Sequence, residues 1–65
     1  MNATTSAELA AAAEAIAVYQ RRVGGLAGAF APGERDDLVT AIYEAERALG
    51  VAEKAIRRAG RLATG

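Results

Sequence analysis

Four cations near the end of the sequence are the residues best placed to do chemistry. In the segment GVAEKAIRRAGRLA, Lys54 and Arg58 are four residues apart, as are Arg57 and Arg61, so on a helix the four cations share one stripe. Such a stripe is a candidate contact for an anion, because neutralised phosphates supply most non-specific nucleic-acid affinity. No aromatic side chain is interleaved to stack on bases, and the chain has 8 basic and 8 acidic residues. The solvated side of a helix is therefore the first interpretation, an acidic protein surface the second and a nucleic-acid site the third.

The remaining polar residues do not suggest catalysis or metal binding. The sequence contains no His and no Cys, which excludes imidazole ligands, thiolate ligands and disulfide bonds. Its carboxylates are scattered over predicted outer helix faces, where nothing desolvates them for acid–base work. We therefore predict that the protein is not an enzyme and has no cofactor, no metal site and no small-molecule substrate.

The elements that must position these residues are two helices joined by a short turn. Ala, Leu, Glu and Arg dominate the sequence, and all are strong helix formers. Residues 5–8 (Thr-Ser-Ala-Glu) fit a capping box, which starts helix 1 at about residue 6. An Ala-Pro-Gly break predicts a turn at about 31–33 and helix 2 over about 34–63, within a single domain of residues 1–65.

The end of helix 1 can be placed at two positions. Arg21 and Arg22 followed by a glycine pair are typical of a helix end near Val23. Apolar residues nevertheless continue at helical spacing to Phe30, which favours a helix over about 6–30. That helix would have a weak end from Gly24 onward, because each helical glycine costs about 1 kcal/mol relative to alanine.

Apolar residues recur every three or four positions in both helices, which is the pattern of a coiled-coil seam. We label the heptad positions a to g, with Leu9 and Ile42 at a. In helix 2 the a positions are mostly large and the d positions mostly alanine, so facing helices can interdigitate. Alanines at g widen the apolar stripe beyond what one neighbouring helix covers. The predicted interface residues are Leu9, Ile16, Tyr19, Val23, Leu26, Phe30, Leu38, Ile42, Ala45, Leu49, Ala52, Ile56 and Ala59.

The order of charges favours an antiparallel hairpin. Each predicted helix begins with acidic residues and ends with basic ones, which complements its own dipole. Folding one helix back on the other also places acid beside base at both ends, whereas a parallel pair would place like beside like. The predicted fold class is all-α, an antiparallel two-helix hairpin.

A hairpin of this size is not expected to be stable alone. A chain of 65 residues buries only about 60% of its unfolded surface, and neither disulfides nor zinc-type ligands are present to compensate. We therefore expect either a homodimer that forms a four-helix bundle or docking on a larger helical partner. In length and layering alone, the pattern resembles the Rop-type plasmid copy-number regulators, which are dimers of helical hairpins. No motif of their RNA-binding face is matched, so the resemblance does not imply that function.

The predicted function is a small helical protein–protein interaction module, such as an assembly subunit, adaptor or inhibitor, acting through the seam. The alternatives are a nucleic-acid-binding regulator that uses the basic stripe of helix 2, and an accessory subunit of a large complex. No apolar run approaches the roughly 20 residues of a membrane span, and no secretion signal is visible, so we expect a cytoplasmic protein.

Overall fold

A computed structural model of the chain describes residues 3–64, so Met1, Asn2 and Gly65 of the predicted domain lie outside the described residues. Helix α1 spans Ala3–Leu26, a short 3₁₀ turn spans Ala27–Ala29, and helix α2 spans Asp36–Thr64. The described residues contain no strand, and the two long helices pack against each other along their length. The prediction of an all-α fold built from two packed helices is therefore confirmed.

Helix α1 begins earlier than the capping box suggests. It starts at Ala3, so residues 5–8 lie within its first two turns. Nothing in residues 3–8 (Ala-Thr-Thr-Ser-Ala-Glu) forbids helical backbone, since the segment has no glycine or proline. The capping signal is thus compatible with an earlier start.

The end of α1 lies between the two positions considered from the sequence. The α-helix stops at Leu26, directly after the glycine pair, and the 3₁₀ turn continues the coil to Ala29. Phe30 then has extended backbone angles (φ −114°, ψ 134°), and its N–H donates to the Ala27 carbonyl at 3.3 Å. A tighter turn has replaced the last α-helical turn where glycines weaken the helix.

A four-residue turn then reverses the chain. The Glu34 N–H donates to the Ala31 carbonyl at 2.9 Å, and Gly33 has a φ of 85°. Proline at the second position and glycine with positive φ at the third are the requirements of a type II turn. Pro32 and Gly33 are therefore held outside α2.

Helix α2 begins two residues after this turn. Arg35 has a φ of 53°, which is not helical, and its carbonyl accepts the Val39 N–H at 3.0 Å. The helix therefore starts at Asp36, whereas the sequence predicted about residue 34. Arg35 Nε also donates to Asp37 Oδ1 at 3.3 Å. This hydrogen bond, aided by the Leu38 N–H, holds the pKa of Asp37 below its usual value.

The two helices run antiparallel. Gln20 lies beside Gly50, and Gly24 lies beside Glu46, so rising residue numbers in α1 meet falling numbers in α2. The resulting hairpin is long and thin, with principal extents of 51 × 13 × 10 Å. A shape 10 Å deep is a single layer of helices, which has no second layer to cover it.

Candidate interaction face

The helices contact each other through heptad positions a and e. The predicted interface residues therefore fall into a half-buried group and an exposed group. Half-buried between the helices are Leu9, Ile16, Val23, Phe30, Leu38, Ile42, Leu49, Ile56 and Ala59. Exposed are Tyr19, Leu26, Ala45 and Ala52, all of which lie at d. The hairpin therefore covers the a row of the predicted seam and leaves most of the d row open.

The e row supplies the remaining contacts, and sequence reasoning did not identify it. Ala13 in α1 and Ala27 in the 3₁₀ turn lie at e and are the only buried residues in the described part of the chain, at 0% and 5% exposure. Gln20, Glu46 and Glu53 also lie at e and are half-buried. The contact layer between the helices is consequently mixed, with polar side chains between the a-position aliphatic residues.

Two glycines make room for the polar e-row side chains. A Cβ added at Gly50 would lie 2.7 Å from Gln20 Nε2, and a Cβ at Gly24 would lie 2.7 Å from the Glu46 carboxyl carbon. Each polar side chain therefore crosses the opposite helix where that helix has no side chain. This glycine complementarity is a signal that the sequence contains, but it becomes visible only once the pairing of the helices is known.

The exposed apolar side chains at d and g form what we call the open face. Its residues are Ala12, Ala15, Tyr19 and Leu26 on α1, with Ala41, Ala45, Ala48, Ala52, Ala55 and Leu62 on α2. The three large members are well exposed, with 53% for Tyr19, 59% for Leu26 and 75% for Leu62. A contiguous exposed apolar patch is a candidate interaction site.

The two halves of the open face lie on the same side of the hairpin. When antiparallel helices meet through the same heptad positions, their d rows project to one side and their b and f rows to the other. The ion pair between Arg57 at b and Glu14 at f, at 3.4 Å, lies on that second side. The hairpin therefore has an alanine-rich side and a side with most of its charges, and the exposed Val18, Tyr43 and Val51 lie outside the open face.

A shallow groove lies beside Tyr19 on the open face. Tyr19, Arg22, Val23 and Leu26 line a shallow groove of about 460 Å³ on α1. The Arg22 guanidinium carbon lies 5.5 Å from the Tyr19 ring centroid, which is within cation–π range. Arg22 thus borders the groove with a charge while the floor stays apolar.

The hairpin exposes more surface than a compact monomer of its mass. Its accessible area is 4668 Å² for 6.7 kDa. The scaling for folded monomers gives about 3,900 Å² at this mass, so the excess is on the order of 750 Å². A standard protein–protein interface removes about 800 Å² per partner. The surplus area is therefore close to one interface.

The four cations of the basic stripe differ in their contacts. Arg57 donates through Nε to Glu53 and through Nη2 to Glu14, and the Glu53 hydrogen bond raises the pKa of Arg57 above its ordinary value. Lys54 and Arg58 are exposed and form no ion pair within residues 3–64. One of the four cations thus contributes to holding the helices together, and its charge is largely neutralised by carboxylates.

The structure adds two observations that concern other kinds of site. Over residues 3–64, neither helix carries an apolar stretch long enough to cross a lipid bilayer. Within the same range, no three side chains of the metal-ligating types are grouped together.

Comparison of the chain with protein-family models, with curated proteins and with solved structures gives no match.

Proposed function

We propose that this chain is a protein–protein interaction module whose open face binds the open face of a second copy, forming a four-helix bundle. The observation that carries the proposal is the incomplete use of the apolar stripe. The hairpin covers rows a and e and leaves most of the alanine-rich rows d and g exposed. In this proposal the module has no catalytic function.

The energetics of the single hairpin support association. No large side chain in the described residues is fully buried, and the large aliphatic residues between the helices are only half-buried. A hydrophobic core contributes about 25 cal/mol for each Å² of apolar area removed from water, so half-burial forfeits much of the available stabilisation. A second layer of helices over the open face would complete the burial of the a row as well as covering the d row.

A second copy is a suitable partner because the side-chain sizes, the excess area and the net charge of the hairpin all suit pairing with itself. The open face combines small alanines with a few large side chains, and the excess area of the hairpin is close to one standard interface. The formal net charge of zero means that two copies carry no overall repulsion. A two-layer bundle of four helices is also a recurrent architecture for helices of this length.

The experiment is sedimentation equilibrium of the purified chain over a wide concentration range, with a matched pair of variants. Ala12→Glu places a carboxylate on the open face, whereas Ala11→Glu places the same group one residue earlier, on the outer side of the same helix. Both alanines are exposed in the hairpin, so helix propensity and charge change equally. We expect the unmodified chain and Ala11→Glu to sediment as dimers, and Ala12→Glu to dissociate at least tenfold more readily.

Ala52→Glu repeats the test on the other helix and should behave like Ala12→Glu. A well-folded unmodified chain that remains a monomer at every concentration would show that the open face does not bind a second copy. An isolated chain that is poorly helical at every concentration would instead favour the accessory-subunit alternative, in which the hairpin docks on a larger complex.

A further inference from the structure

From the heights of the residues on the open face, we infer how the two copies are arranged: helix α1 of each copy covers helix α2 of the other, with both turns at the same end of the bundle. This inference rests on the proposed function, because it assigns the contacts of the same face. It concerns which helix binds which, a question that association alone does not answer.

The first step is the height of each open-face residue along the hairpin. Gln20 is level with Gly50, and Gly24 with Glu46, so positions of α1 and α2 can be matched along the whole length. Tyr19 is consequently level with Val51, which is next to Ala52. By the same matching, Leu26 is level with Glu44, which is next to Ala45.

The second step is symmetry. Two identical faces meet through a two-fold axis, so that if residue i contacts residue j, then j contacts i. An axis parallel to the helices keeps every residue at its own height and exchanges the left and right helices. Tyr19 of one copy then meets Ala52 of the other, and Leu26 meets Ala45. The heptad register of the hairpin places these d positions opposite each other without any sliding of the copies.

The third step is the size of the side chains. In this arrangement each large d residue of α1 faces an alanine of α2, so the spacing between the two layers is even on both sides of the bundle. Facing large and small residues is the condition for interdigitated packing. Near the other end Ala12 faces Ala59, a d residue that is half-buried against its own α1 at the edge of the open face, and Leu62 at the neighbouring g position can fill the space.

An axis perpendicular to the helices gives a poorer fit. It would place α2 on α2 and α1 on α1, so that alanine rows meet on one side while Tyr19 meets its own copy on the other. Helix pairs separate by 8–10 Å depending on their side chains, which would make the two sides of the bundle unequal. The large residues would then hold the alanine rows apart and leave voids between them.

The test uses the absence of cysteine from the sequence, which makes single-cysteine variants unambiguous. Chains carrying Ala59→Cys are mixed in equal amounts with chains carrying Ala12→Cys, refolded together and oxidised in a glutathione buffer. In a second mixture Ala59→Cys is combined with Ala45→Cys, which is the pair brought together by the perpendicular axis. A disulfide requires Cα atoms within about 7 Å, so it forms only between facing positions. Alanine to cysteine is a small change at all three positions.

We expect the mixture of Ala59→Cys with Ala12→Cys to give a covalent mixed dimer on a non-reducing gel, and the mixture with Ala45→Cys to give none. The reverse result, or a dimer in which neither mixture cross-links, would overturn the arrangement. Sedimentation of the unmodified chain separates the two levels of the argument. A monomer there would refute the proposed function itself, whereas a dimer with the wrong cross-link would refute only the arrangement.

Discussion

Two glycines in α2 offer a direct test of how the helices are paired, because the same substitution is expected to have different effects at each. Gly60 and Gly50 both lie within α2, and replacing a helical glycine by alanine stabilises a helix by about 1 kcal/mol. A Cβ at Gly60 would lie 3.7 Å from Leu9 Cβ, an ordinary van der Waals contact. Gly60→Ala should therefore keep the full gain and raise the melting temperature by about 4–8 °C.

Gly50→Ala should keep less of that gain. Its Cβ would lie 2.7 Å from Gln20 Nε2 and 3.4 Å from Gln20 Cδ, so the end of the Gln20 side chain must leave its position. Because this is the far end of a flexible side chain, its displacement is inexpensive and offsets only part of the helix-propensity gain of about 1 kcal/mol. The expected net gain in the free energy of unfolding is therefore smaller than that of Gly60→Ala.

Thermal and urea unfolding followed by circular dichroism would measure both variants. The chain concentration must be held fixed, because association makes the melting temperature depend on concentration. Adding Gln20→Ala removes the obstructing side chain, so Gly50→Ala should recover its gain of about 1 kcal/mol in that background. Equal stabilisation by Gly50→Ala with and without Gln20→Ala would refute the pairing of the helices described above.

Three further outcomes are expected. Leu49→Asp puts a carboxylate between the helices and should lower the free energy of unfolding by more than about 3 kcal/mol, so that helical circular dichroism is lost. A fully helical variant would contradict the position of Leu49 in the contact layer. The folded state lowers the pKa of Asp37, so this carboxylate adds stability above its unfolded pKa of about 3.9, and that stability is lost as the pH falls through the lower folded value. The urea midpoint of Asp37→Asn should therefore lie below that of the unmodified chain at pH 7, and the difference should shrink below about pH 4. Changing Lys54, Arg58 and Arg61 together to glutamine should leave the dimer intact, and the absence of any DNA gel shift by the unmodified chain at low salt would end the nucleic-acid alternative.

Local rules of sequence explain much of this fold. An Ala-Pro-Gly segment predicts a turn, and the structure has a type II turn built on Pro32 and Gly33. The start of α2 could not be placed as closely, because Arg35 has a positive φ that its residue type does not announce. The 3₁₀ turn that ends α1 is similarly a compromise between a continuing apolar pattern and glycines that weaken the helix.

The face used for helix pairing could not be predicted for a different reason. Residues 10–13 are all alanine, so the first part of α1 offers several helix faces of equal hydrophobicity. Gln20 and Glu46 are polar, and polar residues on a helix are typical of its solvent-facing side. The structure instead places each of them over a glycine of the opposite helix, which is a property of the pair and not of either helix alone.

The alanines of α2 explain why the open face is suited to the proposed association. All seven alanines of α2 lie at positions a, d or g, and none lies on the charged side of the helix. An alanine buries little area by itself, so a single hairpin gains little stability by turning a row of alanines inward. Opposite a Tyr or Leu of another helix, however, an alanine row lets the large side chain approach the backbone closely, so the burial of the large residue is nearly complete. In the proposed dimer, the alanine row would therefore contribute by admitting the large side chains of a second copy, a contribution that it does not make within the single hairpin.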